Sequence, residues 1–413
     1  MNMILSTRQS WAQVIIICSG LLSARLPAAV TPECSVKVVV FSAPEIEVIP
    51  ATLLSARTDA DELYQQMADS AADGGAEIIS DSVWQCGNGP VPGPATVIEF
   101  PYPTEFKMDP PRHLVRPSSI TFRNCGISAA AEWIGTSDDR VEDCIAITWE
   151  RTRFLEWKKW PMEPGGAPAG IEQAVFGSEK VWTHLPASSG RWSLAGLVRP
   201  ASLNGRPATH AEQRTLLVFA RAATRSKEPP RRPSQPSQRL QVLTFRVPPG
   251  EALPILRGSI VPDEVVFGTL LSRVLSGEVQ LIHQAAAGCM PGLNSGTESL
   301  VEFPHPTEFR PSPGSFTYRN TGSSLKLNDP EAKPHTRDHY HLESSHMQLP
   351  VAMAPQSPQP GGTLFSQPED LTETLTACLP HSPRGILLAG GMLVRGENGM
   401  PMVDLTVLKM TDP

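Results

Sequence analysis

The stretch Glu99-Phe100-Pro101-Tyr102-Pro103-Thr104-Glu105-Phe106 returns in the second half of the chain as Glu302-Phe303-Pro304-His305-Pro306-Thr307-Glu308-Phe309, differing only at Tyr102 and His305. Chance does not produce such a match, so the chain contains two copies of one unit. Working outward at the same offset, Cys86 aligns with Cys289 and Ile78-Ile79 with Leu281-Ile282. At an offset one residue longer, Phe41, Pro44 and Pro50 align with Phe245, Pro248 and Pro254. Downstream, Thr121-Phe122-Arg123-Asn124-Cys125-Gly126 matches Thr317-Tyr318-Arg319-Asn320-Thr321-Gly322, and the closing runs 216–222 and 404–410 resemble each other. Residues 224–238 between the copies are polar and proline-rich, as an extended spacer requires. The alignment places one copy at 34–223 and the other at 239–413.

Each copy opens with an apolar, β-branched run, Val36 to Phe41 and Leu240 to Arg246, which reads as a strand. A helix follows. In the first copy Thr58 is expected to cap it, Leu63, Met67 and Ala71 share a face, and Gly74-Gly75 ends it. In the second copy Pro262-Asp263 opens it, Val266, Leu270 and Val274 take the equivalent places, and Gly277 closes it. Strands then run through Glu77 to Ser80 and Val279 to His283, and a third strand enters the repeated motif. The X-Pro steps at Pro101, Pro103, Pro304 and Pro306 force extended backbone and remove donors, which places the motif at a sheet edge or in a turn leaving the sheet. Later strands are expected at Ser119 to Arg123, Cys144 to Trp149, Trp192 to Val198 and Thr215 to Ala222. The fold class read from this order is α+β, mostly β: two tandem repeats, each a sheet with one short helix near its start.

The 413 residues include 42 prolines, about twice the usual share of roughly 5 %, which excludes a fold of long helices. The formal net charge of −7 lacks the basic footprint of nucleic-acid binding. Residues 1–29 read as a secretory signal peptide, with Arg8 before an apolar stretch and Ala28-Ala29 at its end. No other apolar run is long enough to cross a bilayer as a helix. The mature chain keeps Cys34, Cys86, Cys125, Cys144, Cys289 and Cys378, an even set that permits either disulfides or buried thiols.

The turn at Cys86 to Gly89, the run Val97 to Phe106 and the run Phe122 to Gly126 together resemble a degenerate secretin-type unit, related to the outer-membrane proteins of bacterial type II and III secretion. Some members of that family carry a Tyr-Pro-Thr-Glu segment followed by an Arg-Asn-Val-Gly-Val-Thr-Leu strand. Tyr102-Pro103-Thr104-Glu105 and Pro306-Thr307-Glu308 correspond to the first. Arg123-Asn124-Cys125-Gly126 and Arg319-Asn320-Thr321-Gly322 correspond to the second, and Leu216 to Ala222 resembles the family's last strand. The chain lacks the family's Val-Pro-x-Leu-Gly-x-Ile-Pro gate segment, so the resemblance implies an envelope protein of secretin-like fold more than a gated pore.

The residues both copies keep, Glu99, Pro103, Thr104, Glu105, Arg123, Asn124 and Gly126 with Glu302, Pro306, Thr307, Glu308, Arg319, Asn320 and Gly322, form a structural motif. Glu105 and Glu308 are expected to pair with Arg123 and Arg319 near a sheet edge. A different chemistry is offered by His335, His339, His341 and His346, with Asp338 and Glu343, whose side chains are of the kind that ligate zinc or copper. On a strand His339, His341 and Glu343 share one face. Trp157-Lys158-Lys159-Trp160 is the one candidate patch for a membrane surface or partner. No nucleophile elbow, phosphate loop, CxxC pair or dinucleotide fingerprint is present in the sequence, and no cofactor is implied.

These readings converge on an exported, non-enzymatic bacterial envelope protein, in the periplasm or at the outer membrane. Its expected partners are itself or envelope and secretion proteins, with no nucleic acid and with membrane association that needs no transmembrane helix. The alternatives are a periplasmic metal-binding protein or enzyme using the histidine segment, and an adhesin-like surface protein.

Overall fold

On the first strand, β1 (Cys34–Pro44), Val36, Val38 and Val40 pack into one core and Val39, Phe41 and Ala43 into another. A strand buried on both faces reads as a continuous apolar run without alternation, which is why this segment is so rich in valine. In the computed structural model the described residues are 34–54, 59–87, 89–109, 114–134, 144–160, 171–187, 190–201, 213–224, 238–256, 262–290, 293–306, 315–327, 339–348, 371–380, 385–395 and 400–411. All belong to one compact unit, Glu33–Pro413. The expected signal peptide lies outside them.

The first module continues through α1 (Glu45–Ile49), a π-helical turn (Pro50–Leu54) and α2 (Ala60–Ala72). Its remaining strands are β2 (Glu77–Cys86), β3 (Val91–Pro92), β4 (Thr96–Asp109), β5 (Leu114–Ile134), β6 (Cys144–Trp160), β7 (Ile171–Pro186), β8 (Ser193–Val198) and β9 (Arg214–Thr224). The second repeats the order with β10 (Gln238–Val247), α3 (Pro249–Leu256), α4 (Asp263–Leu275), β11 (Gln280–Cys289), β12 (Ser295–Pro306) and β13 (Phe316–Leu327). It ends with β14 (His339–Gln348), β15 (Leu371–Pro380), β16 (Gly385–Arg395) and β17 (Pro401–Thr411). β9 runs through Thr224 and β10 starts at Gln238; residues 225–237 of the expected spacer lie outside the described set.

The strands form two antiparallel sheets. Sheet one runs β16-β17-β10-β11-β8-β9-β1-β2, and sheet two runs β15-β14-β13-β12-β7-β6-β5-β3, with β4 also pairing β5. The fold is mostly β, as the sequence implied. The expectation of one sheet and one helix per module is replaced by something richer: each module supplies four main strands to each of two shared sheets and opens with two helical segments. Sheet two packs on one face of sheet one through Val36, Val38, Ile145, Trp149 and Val218 in the first module and Leu240, Leu325 and Leu342 in the second. The helices cover the opposite face, with Leu63 and Met67 of α2 and Val266, Leu270 and Val274 of α4 buried against it.

Local chemistry sets the helix ends. Asp59 caps α2, its Oδ1 accepting from Asp61 N at 2.9 Å, in place of the expected Thr58, which lies outside the described residues. Arg191 reaches Asp61 at 2.7 Å, and the Trp192 amide donates to the same carboxylate at 2.7 Å. Trp192 then stacks on Tyr64 of α2 with ring centroids 3.9 Å apart. The two modules even share an irregularity: the register skips Ile79 between Phe41 and Val40, and Ile282 between Phe245 and Thr244, so the aligned isoleucines are bulge residues.

Candidate functional site: the open sheet edges

Within the chain the modules join head to tail. In sheet one, Ala285, Ala286 and Ala287 of β11 pair with Val198, Leu197 and Gly196 of β8. In sheet two, Gly296 to Glu302 of β12 pairs with Trp182 to Phe176 of β7. Side chains seal the seam: Thr183 Oγ1 donates to Gly288 O at 3.1 Å, Trp182 Nε1 to Asn294 Oδ1 at 3.1 Å, and Ala201 N to Ser299 Oγ at 2.7 Å. Close approach is built in, since a Cβ on Gly296 would lie 2.4 Å from the Trp182 ring across the seam and one on Gly196 3.3 Å from the Thr297 methyl carbon.

Because β11 is the repeat of β2 and β8 the repeat of β16, a head-to-tail seam leaves each half unfilled at the far ends. Sheet one ends on β2 at one side and β16 at the other; sheet two ends on β4 with β3 at one side and β15 at the other. The apolar side chains follow the same logic. On the open strands Val83 is 55 % and Ile98 70 % exposed, while their counterparts at the internal seam, Ala286 and Val301, are 1 % and 0 % exposed. Ile78 on β2 and Ile120 and Phe122 on β5 are exposed as well. On the opposite end, Leu387 and Leu393 of β16 face solvent.

The repeated motif sits on this architecture. Glu99 opposes Asn124 across β4 and β5, and Glu302 opposes Asn320 across β12 and β13. Gly126 and Gly322 have φ of +142° and +129°, and a Cβ there would meet Thr96 O at 1.9 Å and Ser299 O at 2.0 Å. That contact explains why both copies keep glycine. Pro101 and Pro103 lie on β4, an edge strand, where a missing N–H costs nothing. In the second module β12 is interior, yet its pairing with β7 ends at Glu302, so Pro304 and Pro306 fall past the double-sided stretch.

Arg123 does not pair with Glu105: its guanidinium donates to Glu302, across from one module to the other. Burial pushes the Glu302 carboxyl up, and the Arg123 charge opposes that shift. Exposed Glu105 instead forms a single backbone bridge to Ser315, and register slips on either side of it. Around this crossing Tyr102 packs edge-on against Phe176 and Tyr318, Phe106 against Phe316, and Phe100 stacks on Phe154 at 4.7 Å. The hairpin β4–β5 thus folds its motif onto the second module. Trp157 lies half-exposed against Phe100 and Phe154, and the Trp160 side chain is outside the described set. Pro103 and Thr104 are half-buried on β4, Arg319 faces Phe303 in register, and Thr307 and Glu308 lie outside the described residues.

The histidine segment is split. His339, His341 and His346 occupy β14, where His341 opposes Cys378 and Glu343 opposes Thr376 in register; the side chains of the three histidines and all of His335 lie outside the described set. Among the described residues no group of three or more His, Cys, Asp or Glu is placed to hold a metal. Among them, too, no helix is long and apolar enough to cross a membrane. No family model, no curated protein and no solved structure matches this chain.

Sequence reasoning did not find the seam. The signal was present in one respect: Ile78 and Val83 on β2, and Val97 and Ile98 on β4, are exposed apolar residues on strands that end the sheets.

Proposed function

We propose that the protein is an exported, non-enzymatic envelope protein whose secretin-like modules assemble with further copies of the chain by continuing both sheets edge to edge. One observation carries this reading: the seam that joins the modules inside the chain has its two complementary halves exposed again at opposite ends, with apolar residues where the internal seam is buried. β2 of one chain would take β16 of the next, and β4 would take β15. The leader-like residues 1–29 and the secretin-like motif support export and a place at the envelope.

The test combines cell fractionation with light scattering of the full chain over a range of concentrations. Envelope location and a mass in multiples of the chain that grows with concentration are expected. A monomer at every concentration, or a cytoplasmic pool, would overturn the reading.

A further inference from the structure

Cys34 opens β1 and Cys86 closes β2, and the two stand directly opposite each other in the antiparallel register. Opposed residues of such a pair have Cα atoms about 4.5 to 5.5 Å apart, inside the span a disulfide bridges. Both side chains are buried in the inter-sheet core beside Val36 and Trp84, and each thiol shifts the titration of the other. We propose that Cys34 and Cys86 form a cross-strand disulfide in the exported protein, stapling the open edge strand β2 to its single neighbour.

The comparison between modules supports a purpose. β11, the repeat of β2, lies between β10 and β8 and is held from both sides; there Gln238 stands where the first module has Cys34, opposite Cys289. β2 has only β1. A covalent tie is therefore present where lateral pairing is missing and absent where it is supplied. In sheet two, Cys125 opposes Ile98, and Cys144 opposes Ile134 and Pro186, so neither faces another cysteine in register.

The step is a two-electron oxidation. The contact with Cys34 lowers the Cys86 thiol and raises that of Cys34, which marks Cys86 as the sulfur that ionises first. Its thiolate attacks an external disulfide such as oxidised glutathione, releasing one glutathione thiolate. Cys34 then loses its proton and displaces the second glutathione from the mixed disulfide. Two thiols become one disulfide, and the oxidant becomes two thiols.

The full chain, refolded with oxidised glutathione, is alkylated under denaturing conditions, digested and read by mass spectrometry, with a reduced sample alongside. A linked peptide pair carrying Cys34 and Cys86, two hydrogen masses lighter than its parts, is expected, together with loss of two alkylatable thiols. Full alkylation of both residues, or a link from either to another cysteine, overturns the proposal. In Cys34→Ser, Cys86 stays alkylatable; Cys86→Ser serves the same purpose for Cys34 should the first variant fail to fold. The readout is independent of assembly, so a missing bond leaves the edge-to-edge reading standing, and a monomeric chain leaves the bond standing.

Discussion

Arg246 on β10 grips Asp404 on β17 through two parallel hydrogen bonds, Nε to Oδ1 and Nη2 to Oδ2, each 2.7 Å, with both side chains buried. The first module solves the same position differently, with Ser42 opposite Leu216. Asp404→Leu alone deprives a buried guanidinium of its carboxylate, and is expected to cost about 3–5 kcal/mol. The double variant Arg246→Ser, Asp404→Leu removes both charges together and should recover most of that loss. Urea unfolding of the two variants beside the parent decides it; equal destabilisation of both would show that the site needs the ions.

Two glycines predict opposite signs. Gly126→Ala drives a methyl into Thr96 O at a φ of +142°, and should lower stability by roughly 1–3 kcal/mol. Gly268 lies inside α4 with open space around the position of a Cβ, so Gly268→Ala should raise stability by about 0.5–1 kcal/mol. Thermal melts of both variants measure the contrast.

Edge and seam also part company under charge. Val83→Lys and Ile98→Lys place ammonium groups on the open strands, where they meet water in the single chain, and should abolish growth of mass with concentration while leaving the melting curve within about 0.5 kcal/mol of the parent. Ala286→Lys and Val301→Lys bury the same charge at the internal seam and are expected to prevent folding. Light scattering and circular dichroism on the four variants test the pair of statements together.

Burial, with the nearby Arg239 charge adding to it, pushes the Lys409 ammonium down to about 8. The folded state therefore favours neutral Lys409 more than the unfolded chain does. Stability from this group is fully present above the ordinary lysine value near 10.5, declines as the pH falls from there, and is gone below about 8. Replacing it by Met should stabilise the protein at pH 7.5 by an amount on the order of 2 kcal/mol, and the gap should narrow by pH 9.5. Urea midpoints at the two pH values provide the check, and a gap that widens with pH would contradict the sign.

Much of the module is legible in the amino-acid sequence alone. Val36 to Phe41 announced a strand, Leu63 and Met67 a buried helix face, and the repeat itself fixed which elements correspond. The aligned Ile79 and Ile282 even mark the shared bulge. The interlocking was not legible, because pairing between β11 and β8 requires only small and apolar residues such as Ala286 and Leu197, which any buried strand carries. The partner of Arg123 was hidden for a related reason. Glu302 lies far away in sequence, and only the folding of β4 and β5 over the second module brings them together. Pro304 and Pro306 argued for an edge that β12 is not; the physical rule held at finer grain, since pairing on that side stops before them.

The head-to-tail seam also sets a rule of parity. If chains join as the modules do, any closed assembly holds an even number of modules, with fused contacts alternating with free ones around it. The fused contact forms at the effective concentration set by residues 225–237 and does not dilute away. The free contact answers to protein concentration and to whatever caps β2 or β16. Growth and arrest are thereby confined to one kind of contact, and the two sides of each module are free to diverge: one side keeps a seam that never opens, and the other keeps an edge that must be able to wait.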